Sequence, residues 1–501
     1  MPESAAAVPV TPATTATTSD LPGDLPRDGL VAVVKRDCPT CRLVEPVLAA
    51  LPGVVVYSQD DPAFPGSVPD VRDDTGLDVS LALRIDTVPT LIRVEGGAET
   101  ARTEGWRRDA WEELTGVHGL GGLAPGLPDH RPGCGSRTAD PELADALLVR
   151  TRGGTLASRR VELTALEDEA EALFDRGWSD GLPVVAPTPA RVLRMLEGTS
   201  RSPGEVVAVV PPNLAPATVE KVAVNAVLAG CRPEYLPVVL AAVEAACTEE
   251  FNAHGLLATT WGAAPAIVVN GPVAREIGMN AGGNALGQGN RANLTIGRAL
   301  QLVVRNVGGG RPGEIDRATL GHPGKIGFCF AEDEAGSPWE PLSVARGVPP
   351  GRSAVTVLAA EGPRGVVDQI SRTPESLARS LAAGLRGVAH PKLPLGFDAV
   401  LVVSPEHARV FAEAGWDRGR LESALAEALL LDPAEIERGA GGIEEGLPPG
   451  RADGPVPKFR EGGLTIVHAG GGAGMFSAVI GGWVGGPGGS RPVTREVAPW
   501  R

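Results

Sequence analysis

The chain has 501 residues, and its 46 Lys+Arg against 61 Asp+Glu give a formal net charge of -15. That balance argues against a nucleic-acid partner, because phosphate-backbone binders need clustered positive charge. Hydrophobic residues at 43% and charged residues at 21% describe a globular protein, the length suggests about three domains, and no apolar run reaches the ~18 residues of a membrane-spanning helix.

Residues 1–28 are Ala/Thr/Pro-rich, without the basic start or apolar centre of a signal peptide, and read as a disordered tail. Leu30 to Lys35 is a short apolar run of buried-strand type. Asp37-Cys38-Pro39-Thr40-Cys41-Arg42 follows, and then Leu43, Val44, Val47, Leu48 and Leu51 at helical spacing. The pattern is strand, CxxC, helix. A second strand is expected at Val54 to Ser58 and a helical segment near Leu77 to Leu83. A third strand, Leu91 to Val94, follows Thr87-Val88-Pro89-Thr90. Gly96-Gly97 reads as a hairpin turn, and Ala110 to Leu114 begins a closing helix.

A CxxC at a strand-to-helix junction has a physical logic. The first sulfur lies at the helix N-terminus, where unpaired N–H groups and the dipole stabilise a thiolate. Pro39 suits the first helical turn, which needs no N–H. The competing reading is half of a structural zinc site, but no second Cys/His pair lies nearby.

Residues 29–116 resemble the thioredoxin superfamily, on Cys38 and Cys41 as the dithiol and Val88-Pro89-Thr90 as that family's cis-proline loop. The resemblance implies that Cys38 attacks, Cys41 resolves, and Pro89 flanks the dithiol and contacts substrate. Asp37 stands where the best-known members have Trp, and Pro39-Thr40 replaces Gly-Pro. The carboxylate of Asp37 should oppose thiolate formation, whereas Lys35 and Arg36 should favour it.

Residues 117–160 are rich in Gly and Pro at their start and read as an interdomain connector. Cys134 lies in it, between Gly133 and Gly135. One reading is a relay thiol that exchanges with Cys38, its ionisation helped by Arg131 and Arg137. The other is an ordinary surface cysteine.

Residues 161–501 read as a mainly parallel α/β catalytic domain in one or two lobes, making the whole an α/β protein with an N-terminal thioredoxin-like domain. Glu162 to Arg176 is amphipathic, with Leu163, Leu166 and Leu173 on one face. Strands are expected at Val206 to Val210, Ala266 to Asn270, Lys325 to Phe330, Ala354 to Ala359, Ala399 to Ser404 and Leu464 to His468. Helices are expected at Ala217 to Ala229, Leu236 to Cys247, Ala292 to Val304, Ser376 to Leu385, Glu406 to Ala414 and Leu421 to Leu431. Continuous apolar strands between helices suggest a sheet covered on both faces.

Loops in such folds carry chemistry. The turn Gly177 to Pro183 presents Trp178, Ser179 and Asp180. The Gly-rich stretch 280–291 offers Asn280, Asn284 and Asn290 to a ligand, with Asn290 as helix N-cap and Arg291 beside it. A third loop runs from His468 to Gly474. None matches a dinucleotide or P-loop motif, and plain turns remain the alternative. Cys231 lies at a helix end beside Arg232, and His254 offers a base or a metal ligand. Cys247 and Cys329 read as packed core.

Residues 176–183, 229–235 and 287–293 resemble poorly characterised bacterial proteins associated with "UGSC" selenocysteine/cysteine proteins, over about residues 166–497. The resemblance implies sulfur or selenium redox chemistry. Cys134-Gly135-Ser136-Arg137 departs from that motif at its last position.

The expected function is a thiol–disulfide oxidoreductase. Its catalytic thiols are Cys38, Cys41 and Cys134, with Cys231 and His254 serving the larger domain, whose substrate is a small anionic or sulfur-containing metabolite. Its alternatives are a lyase or transferase using the first domain as a carrier, and a non-enzymatic redox adaptor. Six cysteines are too few for a disulfide scaffold, which points to the cytoplasm. A cellular thiol reductant is the expected partner and a homodimer the base-rate assembly. No cofactor or metal can be named from the sequence.

Overall fold

In a computed structural model the described residues are 25–164, 167–451, 453–484 and 489–499. Most of the expected tail, and Leu166, lie outside them. The chain divides into two compact units, residues 1–151 and 152–501.

The first unit is built on a five-stranded mixed sheet of order β3-β2-β1-β5-β6. Its elements run β1 (Gly29–Val34), α1 (Pro39–Ala50), β2 (Val55–Ser58), β3 (Val71–Asp73), α2 (Asp78–Ala82), β4 (Thr87–Val88), β5 (Thr90–Glu95), β6 (Ala98–Glu104), β7 (Trp106–Arg107), α3 (Arg108–Thr115), β8 (His130–Arg131) and β9 (Cys134–Gly135). β1 lies parallel to β2 and antiparallel to β5. Leu30 to Val34 are all buried, which explains their unbroken apolar run. Gly96 and Gly97 turn β5 into β6 with φ of 60° and 80°, the left-handed backbone that a two-residue hairpin needs and glycine supplies.

Residues 117–151 belong to this unit, which corrects their reading as a connector. Leu120 and Leu127 enter its core. The Trp106 indole N–H donates to Pro128 O at 2.6 Å. Buried Gln59 ties the next stretch down: its Nε2 donates to Ser136 Oγ at 2.6 Å, and its Oε1 accepts from the Arg137 N–H at 3.0 Å. Hydrogen bonds to buried side chains leave no hydropathy pattern.

The second unit holds two four-stranded sheets. The first runs Cys329–Ala331, Ala264–Asn270, Ala354–Ala360, Val493–Glu496; the second runs Arg364–Val367, Phe476–Gly481, Ala399–Val403, Leu464–His468. Within these two sheets, among the described residues, only the pairings of Ala264–Asn270 with Cys329–Ala331 and of Ala399–Val403 with Leu464–His468 are parallel, so the expected mainly parallel sheet is corrected to mixed, mostly antiparallel sheets. The reason lies in what covers the strands. Ile267, Val269, Val355 and Val357 face the helices Val219–Ala229, Leu236–Ala246 and Arg291–Asn306. Leu401 and Val403 face Pro374–Arg386, Pro405–Glu413 and Arg418–Ala428. The alternate residues Ala266, Val268 and Leu358 of one sheet meet Val400, Val402 and Ile480 of the other. Each sheet therefore has helices on one face and a sheet on the other. Both faces are buried, and the apolar run carries no information about strand direction.

Two smaller expectations also change. The strand placed at Lys325 to Phe330 is confined to Cys329–Ala331, because Pro323–Lys325 forms a 3₁₀ turn. The helix placed at Glu162 to Arg176 is Glu169–Asp175, capped by Asp168, whose carboxylate accepts from the Ala170 and Glu171 N–H groups.

Candidate functional site

In the first unit α1 starts where β1 ends, and Cys38 is its N-cap. The Cys38 sulfur accepts from the Cys41 N–H at 3.3 Å, and its thiol form donates to Val88 O at 3.5 Å. Val88 precedes Pro89 through a cis peptide. β4 pairs with β9, placing Val88 opposite Cys134. Three thiols, two from the CxxC and one from a segment more than ninety residues on, thus meet at one helix start. Cys38 and Cys41 are buried and Cys134 is half-buried.

Their ionisation is divided sharply. The Cys41 thiol, the Cys134 thiol and the Cys41 and Thr40 N–H groups all donate to the Cys38 sulfur, and together they overcome burial and bring it down to about 5. Cys41 is pushed well above the ordinary thiol range by burial, and by the Cys38 thiolate it donates to. Cys134 is pushed up by burial and the same thiolate, against a small opposing pull from Thr40 N–H and Lys35. At neutral pH the cluster holds one thiolate stabilised by two thiols.

The charged neighbours matter less than the sequence suggests. Arg36 is paired with Asp61 at 2.6 Å, and the Asp60 carboxylate accepts from the Arg36 and Asp37 N–H groups. Arg131 donates to Thr40 Oγ1 at 3.3 Å and Arg137 to Gln59 O at 3.0 Å. The expected activation of Cys134 by these arginines is therefore corrected: it is the proton-bearing partner of Cys38.

Residues with no sequence signal hold the third thiol in place. Thr40 Oγ1 donates to Pro132 O at 2.8 Å, tying the segment before Cys134 to the first turn of α1. Gly133 packs so closely that a Cβ there would stand 2.4 Å from Thr87 Cγ2 and 2.7 Å from Val88 O. Only the glycines flanking Cys134 hinted at this.

No protein-family model, curated protein or solved structure matches the chain. The chemistry is therefore read from the residues themselves.

In the second unit the expected ligand groups serve largely as internal fastenings. Asp180 forms a two-pronged ion pair with Arg298, at 2.8 and 2.7 Å, which outweighs burial and holds its carboxyl below the usual range. Ser179 Oγ donates to Leu182 O at 2.6 Å, and Trp178 O accepts from Asn306 Nδ2 at 3.1 Å. Asn280 and Asn293 bridge each other's segments, Asn284 Nδ2 donates to Gln288 O, and Asn290 caps its helix at the Asn293 N–H. Arg291 donates to Gly230 O at 2.9 Å. Cys231 donates to Thr295 O, and burial pushes it up to about 12, which leaves it almost no thiolate at neutral pH. His254 is exposed on the short helix Ala253–Ala258. Among the described residues no group of three or more His, Cys, Asp or Glu is placed to hold a metal ion, and no helix is long and apolar enough to cross a membrane.

The two Gly-rich loops do meet. Gly470 N–H donates to Ala281 O at 2.8 Å, and the loops wall a cleft of about 400 Å³ with Asn284, Gly287, Val402, Ser404, Gly470 and Phe476 in its lining. Ser404 Oγ is buried in this wall and has no hydrogen-bond partner among the described residues. The volume falls within the range of small-molecule sites, roughly 300–1,000 Å³.

Proposed function

We propose that the chain is a thiol–disulfide oxidoreductase whose reactive centre is Cys38 with Cys41 and Cys134, and whose second unit receives a small molecule in the cleft beside Ser404. The carrying observation is geometric: the Cys38 sulfur is the N-cap of α1 and accepts from the Cys41 N–H at 3.3 Å, with the Cys41 and Cys134 thiols beside it. The strand–dithiol–helix order and the cis Val88–Pro89 bond beside it support the thioredoxin-like reading of the first unit.

The Cys38 thiolate attacks one sulfur of a disulfide, and the other sulfur leaves as a thiolate. A second thiol, from Cys41 or Cys134, then loses its proton and attacks the Cys38 sulfur, releasing the remaining half of the substrate. Two electrons pass from the protein to the substrate, and the protein is left with one internal disulfide. A cellular thiol reductant returns it to the starting state. Once Cys38 is no longer a thiolate, its upward pressure on both neighbours ends, so the first step prepares the second.

Oxidised glutathione and the full reduced chain test this directly. The wild type should release two equivalents of glutathione and end with an internal disulfide at Cys38. A C41S/C134S double variant should stop at a Cys38–glutathione adduct, seen by mass spectrometry. A C38S variant that consumes the disulfide at the wild-type rate would overturn the proposal.

A further inference from the structure

The helix Arg291–Asn306 carries arginines at 291, 298 and 305. A spacing of seven drifts only ~20° per step, so the three lie along one stripe. Arg291 is satisfied by Gly230 O, and Arg298 by Asp180 and by the carbonyls of Leu182 and Pro183. The third is different. Among the described residues Arg305 Nε is buried without an acceptor, and so is Nε2 of Gln301, one turn earlier on the same face.

The chain after the helix brings a second cation to this end. Gly309 N–H donates to Arg305 O at 3.1 Å and Gly310 N–H to Val304 O at 3.0 Å, folding the loop back over the last turn. The Arg311 guanidinium then reaches the Gly177–Pro183 turn, its Nη1 standing 3.6 Å from where a Cβ on Gly177 would be. Asn306 Nδ2 fastens that turn to the helix through Trp178 O. Burial and Arg311 both press Arg305 toward its neutral form, opposed by the fields of Asp180 and Glu314. Asp180 is already spent on Arg298, and among the described residues no carboxylate forms an ion pair with Arg305 or Arg311. A helix C-terminus favours one cation. It does not supply acceptors for two guanidinium forks and an amide.

We propose that Gln301, Arg305 and Arg311 bind the tetrahedral oxyanion group, phosphate or sulfonate, of a small molecule. Two planar forks and an amide present more donors than the two oxygens of a carboxylate accommodate, whereas a tetrahedral group offers three or more oxygens facing different ways. The site lies in the second unit, at the opposite end of the helix from the Asn290 cap, and it stands independently of the thiol centre.

The test is titration of the full chain with inorganic phosphate, sulfate or acetate at constant ionic strength, read by calorimetry and by thermal unfolding. Phosphate and sulfate should bind saturably and raise the melting temperature, and acetate should not. R305Q and R311Q should each weaken phosphate binding by about tenfold or more, while R409Q, on an exposed helix face elsewhere, binds as the wild type does. If R305Q does not fold, R305K keeps the charge but loses the fork and should show the same weakening. Absence of saturable phosphate binding, equal binding of acetate, or wild-type affinity in R305K and R311Q would each overturn the proposal. Alkylation of Cys38 in the same samples reports the thiol centre separately.

Discussion

Cys134 sits directly opposite Val88 in a two-residue antiparallel ladder, one residue before the cis proline and against the Cys38 sulfur. The third thiol is therefore held by backbone pairing. It does not swing on a connector.

The Cys38 thiolate should titrate with a midpoint of about 5 in the reduced protein. Its alkylation rate should be flat from neutral pH down toward that value and then fall as the sulfur takes a proton. C41A and C134A each remove a donor to the charged form, so both should move the midpoint upward, C41A by more. Thiolate ultraviolet absorbance against pH checks the order, and an unmoved midpoint in C134A would contradict the described geometry.

Gly133→Ala should disturb the third thiol without touching a reactive atom. The added Cβ meets Thr87 and the Val88 carbonyl at distances no real contact shows. A loss of about 1–3 kcal/mol is expected from such overpacking, together with slower formation of a Cys38–Cys134 link in a C41S background. Denaturant unfolding and disulfide mapping measure the two effects separately.

Asp180→Asn leaves Arg298 half-buried with no counter-charge, and a cost of about 3 kcal/mol follows for the second unit. The sign with pH is set by the lowered carboxyl of Asp180. Its contribution is complete above the ordinary carboxylate value of 3.8 and disappears as pH falls through the lower folded value. The difference between wild type and D180N should therefore shrink in acid. Denaturant unfolding at neutral and acid pH measures it.

Ser404→Ala should be neutral or stabilising, by up to about 1 kcal/mol, because the buried hydroxyl has no partner among the described residues and no bond is lost. A marked destabilisation in unfolding experiments would mean that Ser404 makes a bond that the described structure lacks.

The strands β1, β2 and β5 and the dithiol helix were legible because they rest on local signals such as the apolar run of Leu30 to Val34, Pro39 after Cys38, and the glycine pair at 96–97, whereas the short β3, β7 and β8 carry no such signal. The seat of Cys134 was not. It depends on Gln59, Ser136, Thr40 and Gly133, which are far apart in sequence and joined by polar bonds or by close approach. Hydropathy placed the central strands of the second unit near 266–270, 354–359, 399–404 and 464–468 but missed Arg364–Val367, Phe476–Gly481 and Val493–Glu496. It also left strand direction open, since a strand between helices and a strand between a helix layer and a second sheet are equally apolar. The three asparagines of the 280–290 loop look alike as ligand groups and as loop fasteners. Only their observed partners, Gln288 O and the Asn293 side chain and N–H among them, separate the two uses.

The convergence of three thiols also bears on the unfolded chain. A Cys38–Cys41 link spans one helical turn and scarcely restrains a disordered polypeptide, whereas a Cys38–Cys134 link closes a loop of about a hundred residues. In the loop-entropy account the short link stabilises by about 2 kcal/mol and the long one by about 5 kcal/mol. The same two-electron oxidation therefore leaves proteins of different resistance to unfolding according to which neighbour captures Cys38, and a melting curve can tell the two oxidised isomers apart.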